Sequence, residues 1–181
     1  FEMVGAYATF ANEGVRNSPL FVTHIEDRQG NLISTFASSS QDAISRETAY
    51  TMLTMLKNVI ANGTGRRMTW QFGFKDMDIA GKTGTSNSNR DAWFMCITPK
   101  LVAGAWVGGE DQSVHLRRRG EGSVMALPIV GDFLTRVYND PSVRIDRNDT
   151  FVRPPLWNGF DCPEAEQTPP DEPAAEDEFF N

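Results

Sequence analysis

A chain of 181 residues with 40% hydrophobic and 10% aromatic content is long enough to bury one ordinary core. Its net charge of −7 is unevenly placed: residues 163–181 hold seven of the 24 acids and none of the 17 bases, so the rest of the chain is neutral. A neutral body excludes the basic face of a nucleic-acid groove, and no apolar run approaches the ~20 residues that span a bilayer.

In chain order, residues 2–13 read as a helix with a stripe of Val4, Tyr7, Ala8 and Ala11, closed by Gly14 as the first residue past its end. The opening Phe1-Glu2-Met3-Val4 lacks an initiator Met and reads as helix interior, so a longer polypeptide is expected, with any anchor or export signal upstream. Residues 20–26 and 31–36 are β-type runs around the turn Asp27-Arg28-Gln29-Gly30, and 38–42 read as a polar loop. A helix over 46–62 follows, capped by Ser45, ended by Gly63, with Ala49, Met52, Leu53, Leu56, Val59 and Ile60 inward. An irregular connection over 63–75 leads to strands near 77–85, 91–98 and 101–107. Pro99-Lys100 is short enough to make the last two an antiparallel hairpin. The run Ala92 to Ile97 is apolar on both faces, as a central strand requires. The last helix spans 125–138, with Ala126, Ile129, Val130, Phe133, Leu134 and Val137 inward and Pro128 in its first turn. From Pro154 onward periodicity fades, and 163–181 has too few apolar residues to offset the entropy of ordering.

The chemistry gathers at Ala80-Gly81-Lys82-Thr83-Gly84-Thr85. Gly81-Lys82-Thr83 could end a phosphate-binding loop, but that motif needs a glycine five residues earlier, where Asp76 stands, and a helix afterwards, where a turn and a strand follow. The remaining reading is an edge strand beside a cleft. Gly84 lets a substrate backbone lie close, Lys82 supplies a positive charge, and Thr83 and Thr85 supply hydroxyl donors to the same anion. A backbone N–H near Thr85 could serve an oxyanion hole.

Lys82-Thr83-Gly84-Thr85 resembles the third active-site motif of penicillin-binding proteins and serine β-lactamases. The flanks, from Tyr7-Ala8-Thr9-Phe10-Ala11-Asn12-Glu13-Gly14 through Gly63-Thr64-Gly65 and Asp91-Ala92-Trp93-Phe94 to the helix after Ala126, are similar to class A penicillin-binding proteins, the bifunctional peptidoglycan synthases. The resemblance covers residues 1–138. It implies an α/β fold: an antiparallel sheet flanked by helices, the C-terminal part of the penicillin-binding protein and serine β-lactamase-like transpeptidase fold. The expected layout is 1–144 for that domain, 145–162 for an extension and 163–181 for an acidic tail. Implied partners are peptidoglycan stem peptides ending in D-Ala-D-Ala and β-lactams, with no cofactor and no metal. The implied setting is the extracytoplasmic face of a membrane in which the parent is anchored, with a glycosyltransferase domain upstream. The family's serine, followed at the third place by lysine, and its Ser-x-Asn element do not occur among these 181 residues. The expectation is therefore a substrate-binding wall, Lys82 to Thr85, without a catalytic nucleophile, inactive alone. Two sheet strands expected from upstream would otherwise cover 101–107, so its edge is expected to be free for self-association. Other readings are a silent binding or assembly module of the same fold, and a carboxypeptidase or β-lactamase in which water takes the acyl group.

The remaining candidates read as ordinary structure. His24 and His115 have no partner that makes a base, and Trp93, Phe94 and Trp106 are expected to pack in the core. Asp91 is expected to fix the Ser86–Arg90 loop, while Arg66, Arg67 and the run Arg117-Arg118-Arg119 are solvated. Cys96 is expected to be buried, and Cys162 lies at the margin of the tail.

Overall fold

The structure, a computed structural model, describes residues 1–111, 113–116 and 119–159. Cys162, the 163–181 tail, and Arg117 and Arg118 lie outside them.

Helix α1 (Glu2–Ala11) ends in a left-handed turn, but the first residue past its end is Glu13 at φ 53°, with Gly14 next at φ 89°. The Gly14 N–H donates to the Thr9 carbonyl at 2.9 Å, the longer bond of a Schellman closure. A side chain at Gly14 is excluded a second time by packing, since a Cβ would lie 2.2 Å from the Ile44 carbonyl oxygen. The chain then forms β1 (Val15–Asn17), which pairs antiparallel with β4 (Ser40–Asp42) in the segment expected to be loop. Between them stands the expected hairpin, β2 (His24–Glu26) and β3 (Leu32–Thr35), although residues 20–23 stay outside its first strand. Its turn is tied by Asp27, whose Oδ1 accepts the N–H groups of Gln29 and Asn31, both at 2.8 Å.

Helix α2 (Arg46–Ala61) starts at Ser45, whose Oγ accepts the Thr48 N–H at 3.1 Å. Ala49, Leu53, Leu56 and Ile60 are buried, and Met52 and Val59 are half-buried at the border of the stripe. The connection after it holds a short helix, α3 (Arg67–Trp70). Three strands follow: β5 (Ala80–Thr85), β6 (Asp91–Ile97) and β7 (Val102–Gly108), antiparallel in the order β5-β6-β7. Thr98 is fully buried at the β6–β7 turn and keeps its polar atoms bonded, its N–H to the Leu101 carbonyl at 2.8 Å and its Oγ1 to the Leu101 N–H at 3.0 Å.

The sheet divides two cores. On one face Phe94 and Cys96 of β6 meet Ala126, Leu127, Val130 and Leu134 of helix α4 (Gly122–Asn139), with Met68 and Phe74 beside them. On the other face Ala80 and Ile97 meet Leu53, Leu56 and Phe151, with Tyr7 and Phe10 of α1. Helix α2 contributes to both cores, Ile60 to the first and Leu53 to the second, so it runs along the β5 side of the sheet. Central β6 is covered on both faces, as its apolar run implies. Burial pushes the Cys96 thiol up to about 12, which keeps it protonated and unreactive at neutral pH.

Helix α4 departs from expectation in two respects. It begins a turn early, at Gly122, which moves Pro128 into the second turn. Its inner face is flanked by Leu127 and Gly131, whereas Ile129 and Phe133 are 52% and 46% exposed. Gly131 is where the Phe72 ring presses against the helix, 2.7 Å from the place of a Cβ.

The segment after α4 folds back onto the body. The Phe151 N–H donates to Asp78 at 3.0 Å, the Trp157 indole donates to Thr51 Oγ1 at 2.9 Å, and Arg147 stacks 5.4 Å from the Phe74 ring centre.

Candidate active-site strand

Lys82, Thr83, Gly84 and Thr85 form the latter part of β5, an outer strand of the sheet. The inner edge is paired in the register Lys82↔Met95, Thr83↔Phe94, Gly84↔Trp93 and Thr85↔Ala92. Among the described residues no strand pairs with the outer edge. The backbone there can accept one more extended chain, the geometry by which a sheet edge binds a peptide.

Alternation along the strand places Lys82 and Gly84 on one face and Thr83 and Thr85 on the other. Lys82 is exposed, its Nζ resting on the Thr83 carbonyl at 2.6 Å, and no carboxylate among the described residues pairs with it. The cation is therefore free to meet an incoming anion. At Gly84 a Cβ would stand 3.1 Å from Trp93 Cβ, so a side chain there would press on the neighbouring strand.

The two hydroxyls are held by different elements. Thr83 Oγ1 lies 2.6 Å from Oγ1 of Thr64, in the turn after α2. Thr85 Oγ1 accepts the Gly122 N–H at 3.1 Å, which brings the amino end of α4 to the end of the strand. That approach needs glycine: a Cβ on Gly122 would lie 2.2 Å from the Trp93 carbonyl oxygen and 2.5 Å from that of Gly84. Arg67 of α3 reaches the same helix turn, with Nη1 3.4 Å from the Ser123 carbonyl. The strand thus carries an exposed cation on one face and, on the other, two hydroxyls, one of them bonded to the positive end of an 18-residue helix, along a sheet edge that no described strand covers. Such an edge can hold an extended peptide by its backbone and a carboxylate by charge-assisted hydrogen bonds.

The other candidates lie elsewhere. His24 is in the β2–β3 hairpin beside Glu26 at 3.4 Å, and His115 Nδ1 is 3.0 Å from the Ser88 carbonyl. The Asp91 side chain does not tie the loop as expected; it accepts the Trp106 indole N–H at 3.0 Å, and the loop is held by Ser86 Oγ accepting the Asp91 N–H at 2.7 Å. Phe94 is core, but Trp106 is 46% exposed and leans on Trp93 with ring centres 6.3 Å apart, so the indole pair lies on the face of Lys82 and Gly84. Sequence reasoning missed Thr64 and Gly122 as parts of the site. Thr64 had a signal in its Gly-Thr-Gly turn, whereas Gly122 was one of several loop glycines.

An antiparallel sheet between helices, with a Lys-Thr-Gly edge strand, is the architecture of penicillin-binding transpeptidase domains. The penicillin binding protein transpeptidase domain family matches residues 1–109. Penicillin-binding protein 1B of Haemophilus influenzae is 35% identical over 136 residues, which are 75% of this chain and 17% of that one. Penicillin-binding protein 1A of Aquifex aeolicus is 32% identical over 154 residues, 85% of this chain and 20% of that one. The crystal structure of penicillin-binding protein 1A from H. influenzae superimposes with a TM-score of 0.75 at 24% identity, covering 85% of this chain and 28% of that one. The D,D-transpeptidase domain of a peptidoglycan glycosyltransferase from Eggerthella lenta gives 0.56 at 26% identity, covering 75% of this chain and 31% of that one. The chain belongs to the penicillin-binding protein transpeptidase family, with class A relatives, and it spans about a fifth of the length of the curated relatives named.

Proposed function

We propose that these 181 residues form one wall of the active site of a peptidoglycan D,D-transpeptidase that also binds penicillin. The observation that carries this reading is the outer edge of β5, which no strand among the described residues pairs, with Lys82 facing no carboxylate among them and Thr85 set against the amino end of α4. Because no serine in the chain is followed three places on by lysine, the nucleophile comes from sequence outside it.

In the longer polypeptide that serine hydroxyl attacks the carbonyl between the two terminal D-alanines of a stem peptide. The C–N bond breaks, D-alanine leaves with a proton on its nitrogen, and the stem remains as an ester on the serine. An amine from a neighbouring stem attacks the ester, forms the cross-linking amide and restores the serine. Lys82, Thr83 and Thr85 hold the terminal carboxylate during the first attack, and Gly84 admits the peptide backbone to the strand. A β-lactam carboxylate uses the same donors. The N–H near Thr85 assists the oxyanion as charge develops on the carbonyl oxygen. No metal or cofactor enters these steps. The polypeptide works on the extracytoplasmic face of the membrane that anchors it, beside a glycosyltransferase domain of its own.

The test offers the longer polypeptide a stem peptide ending in D-Ala-D-Ala, with and without an acceptor amine. The expected result is D-alanine release together with an amide-linked dimer when the amine is present. Hydrolysed peptide alone in both tubes favours a carboxypeptidase or β-lactamase, and no release at all favours a silent binding module.

A further inference from the structure

We infer that Thr64 is a positioning residue for the site, donating its hydroxyl proton to Thr83 so that Thr83 offers its own proton to the ligand carboxylate. The inference rests on the reading of Lys82 to Thr85 as a carboxylate site.

The turn that carries Thr64 is built to a fixed shape. The N–H groups of Gly63 and Gly65 both donate to the Val59 carbonyl, at 3.1 and 3.0 Å, and the Arg66 N–H closes onto Gly63 at 3.1 Å. Neither glycine has room for a side chain at ease: a Cβ at Gly65 would stand 2.7 Å from Ile60 Cδ1, and one at Gly63 would stand 3.0 Å from the Val59 backbone. The turn is thus clasped to the last residues of α2, and Ile60 of that helix also meets β5 at Gly81, 2.9 Å from the place of a Cβ. Helix, turn and strand form one block, and across it the Thr64 and Thr83 hydroxyls are 2.6 Å apart although 19 residues separate them in sequence.

Proton counting sets the direction. Each threonine hydroxyl has one proton and two lone pairs. A Thr83 proton given to a carboxylate cannot also fill the contact to Thr64, so Thr64 must be the donor there. The chain then runs from Thr64 to Thr83 to the carboxylate. Hydrogen bonds in series polarise one another, and a hydroxyl that accepts at its oxygen becomes a better donor to an anion. Thr85 is arranged in the same sense, since its oxygen accepts the Gly122 N–H and its proton stays free. Both hydroxyls of the strand are therefore turned into donors by a group behind them, one a side chain and one a helix end.

The test measures the second-order acylation constant of the longer polypeptide with a penicillin and with the same penicillin as its neutral carboxamide. Thr64→Val is expected to lower the constant about five- to tenfold for the carboxylate form, the worth of one neutral hydrogen bond such as that between the two hydroxyls. For the carboxamide the loss is expected to stay under about twofold, and Thr64→Ser is expected to restore the carboxylate rate. Thr64 is exposed, so the melting temperatures should agree; Thr64→Ala serves as a second variant should valine disturb the turn. An unchanged rate in Thr64→Val and Thr64→Ala overturns the inference, as does an equal loss with both ligands or a failure of serine to restore it. A parent protein that does not distinguish carboxylate from carboxamide overturns the site reading, and the inference with it. Discrimination in the parent with no effect of Thr64 overturns the role of Thr64 alone.

Discussion

Replacing Lys82 by alanine is expected to slow acylation of the longer polypeptide by a carboxylate-bearing penicillin by about a hundredfold or more, while stability changes by less than about 0.5 kcal/mol. The two halves of this expectation have separate causes. Lys82 is exposed and its Nζ rests on a backbone carbonyl, not on a carboxylate, so removing it strands no buried charge. With a ligand in place the balance changes. The ammonium then faces an anion on an edge flanked by Trp93, and losing one member of a desolvated charge pair costs about 2–5 kcal/mol, of which 2.7 is a hundredfold in rate. Lys82→Arg keeps the charge but replaces a compact ammonium with a planar fork, so partial recovery is expected. Acylation kinetics with a chromogenic β-lactam measure the rate, and a denaturant titration measures the stability. A rate within threefold of the parent for Lys82→Ala would remove the cation from the site.

Gly122→Ala is expected to destabilise the protein by about 3 kcal/mol, the sign opposite to what helix propensity gives. In an open helix, alanine for glycine stabilises by about 0.5–1 kcal/mol. At Gly122 the added Cβ would fall 2.2 Å from the Trp93 carbonyl oxygen and 2.5 Å from that of Gly84. Both obstacles are main chain in paired strands, so no side chain can swing aside and the helix end must back away. Overpacking of this kind costs about 1–3 kcal/mol, and the retreat also loses the bond from the Gly122 N–H to Thr85, worth about 1 kcal/mol. Gly5 in α1 is the matched control, because nothing lies within 4 Å of the place of its Cβ and Gly5→Ala is expected to stabilise. Urea midpoints for the two variants measured side by side decide the matter. If Gly122→Ala is as stable as the parent, the helix end does not sit against β5 as described. Because the same contact orients Thr85, slower acylation should accompany the lost stability.

The elements that position the site were legible where the sequence repeats a pattern long enough to read. Helix α2 announces its cap, its stripe and its final glycine, and the apolar run of β6 with the Pro99-Lys100 turn determines the antiparallel hairpin. The β1–β4 pair was not legible, because three-residue strands with mostly exposed polar residues offer no alternation to detect. In α4 both faces are apolar: Met125, Ile129 and Phe133 outside, Ala126, Leu127, Val130 and Leu134 inside. Periodicity cannot choose between two such stripes, and the choice falls to tertiary packing, Phe72 against Gly131. The candidate site divides in the same manner. Lys82 to Thr85 could be read from residue types in a row. Thr64 and Gly122 enter through contacts made across 19 and 37 residues, which a single sequence does not display.

Whether this wall works with a serine from elsewhere is decided by intact mass spectrometry after incubation with a penicillin, made on the 181-residue chain and on the longer polypeptide, followed by peptide mapping. One covalent penicilloyl adduct is expected on the longer polypeptide, on a serine outside these residues, and none on the 181-residue chain. An adduct on a residue within the 181, or no adduct on either protein, would contradict this reading.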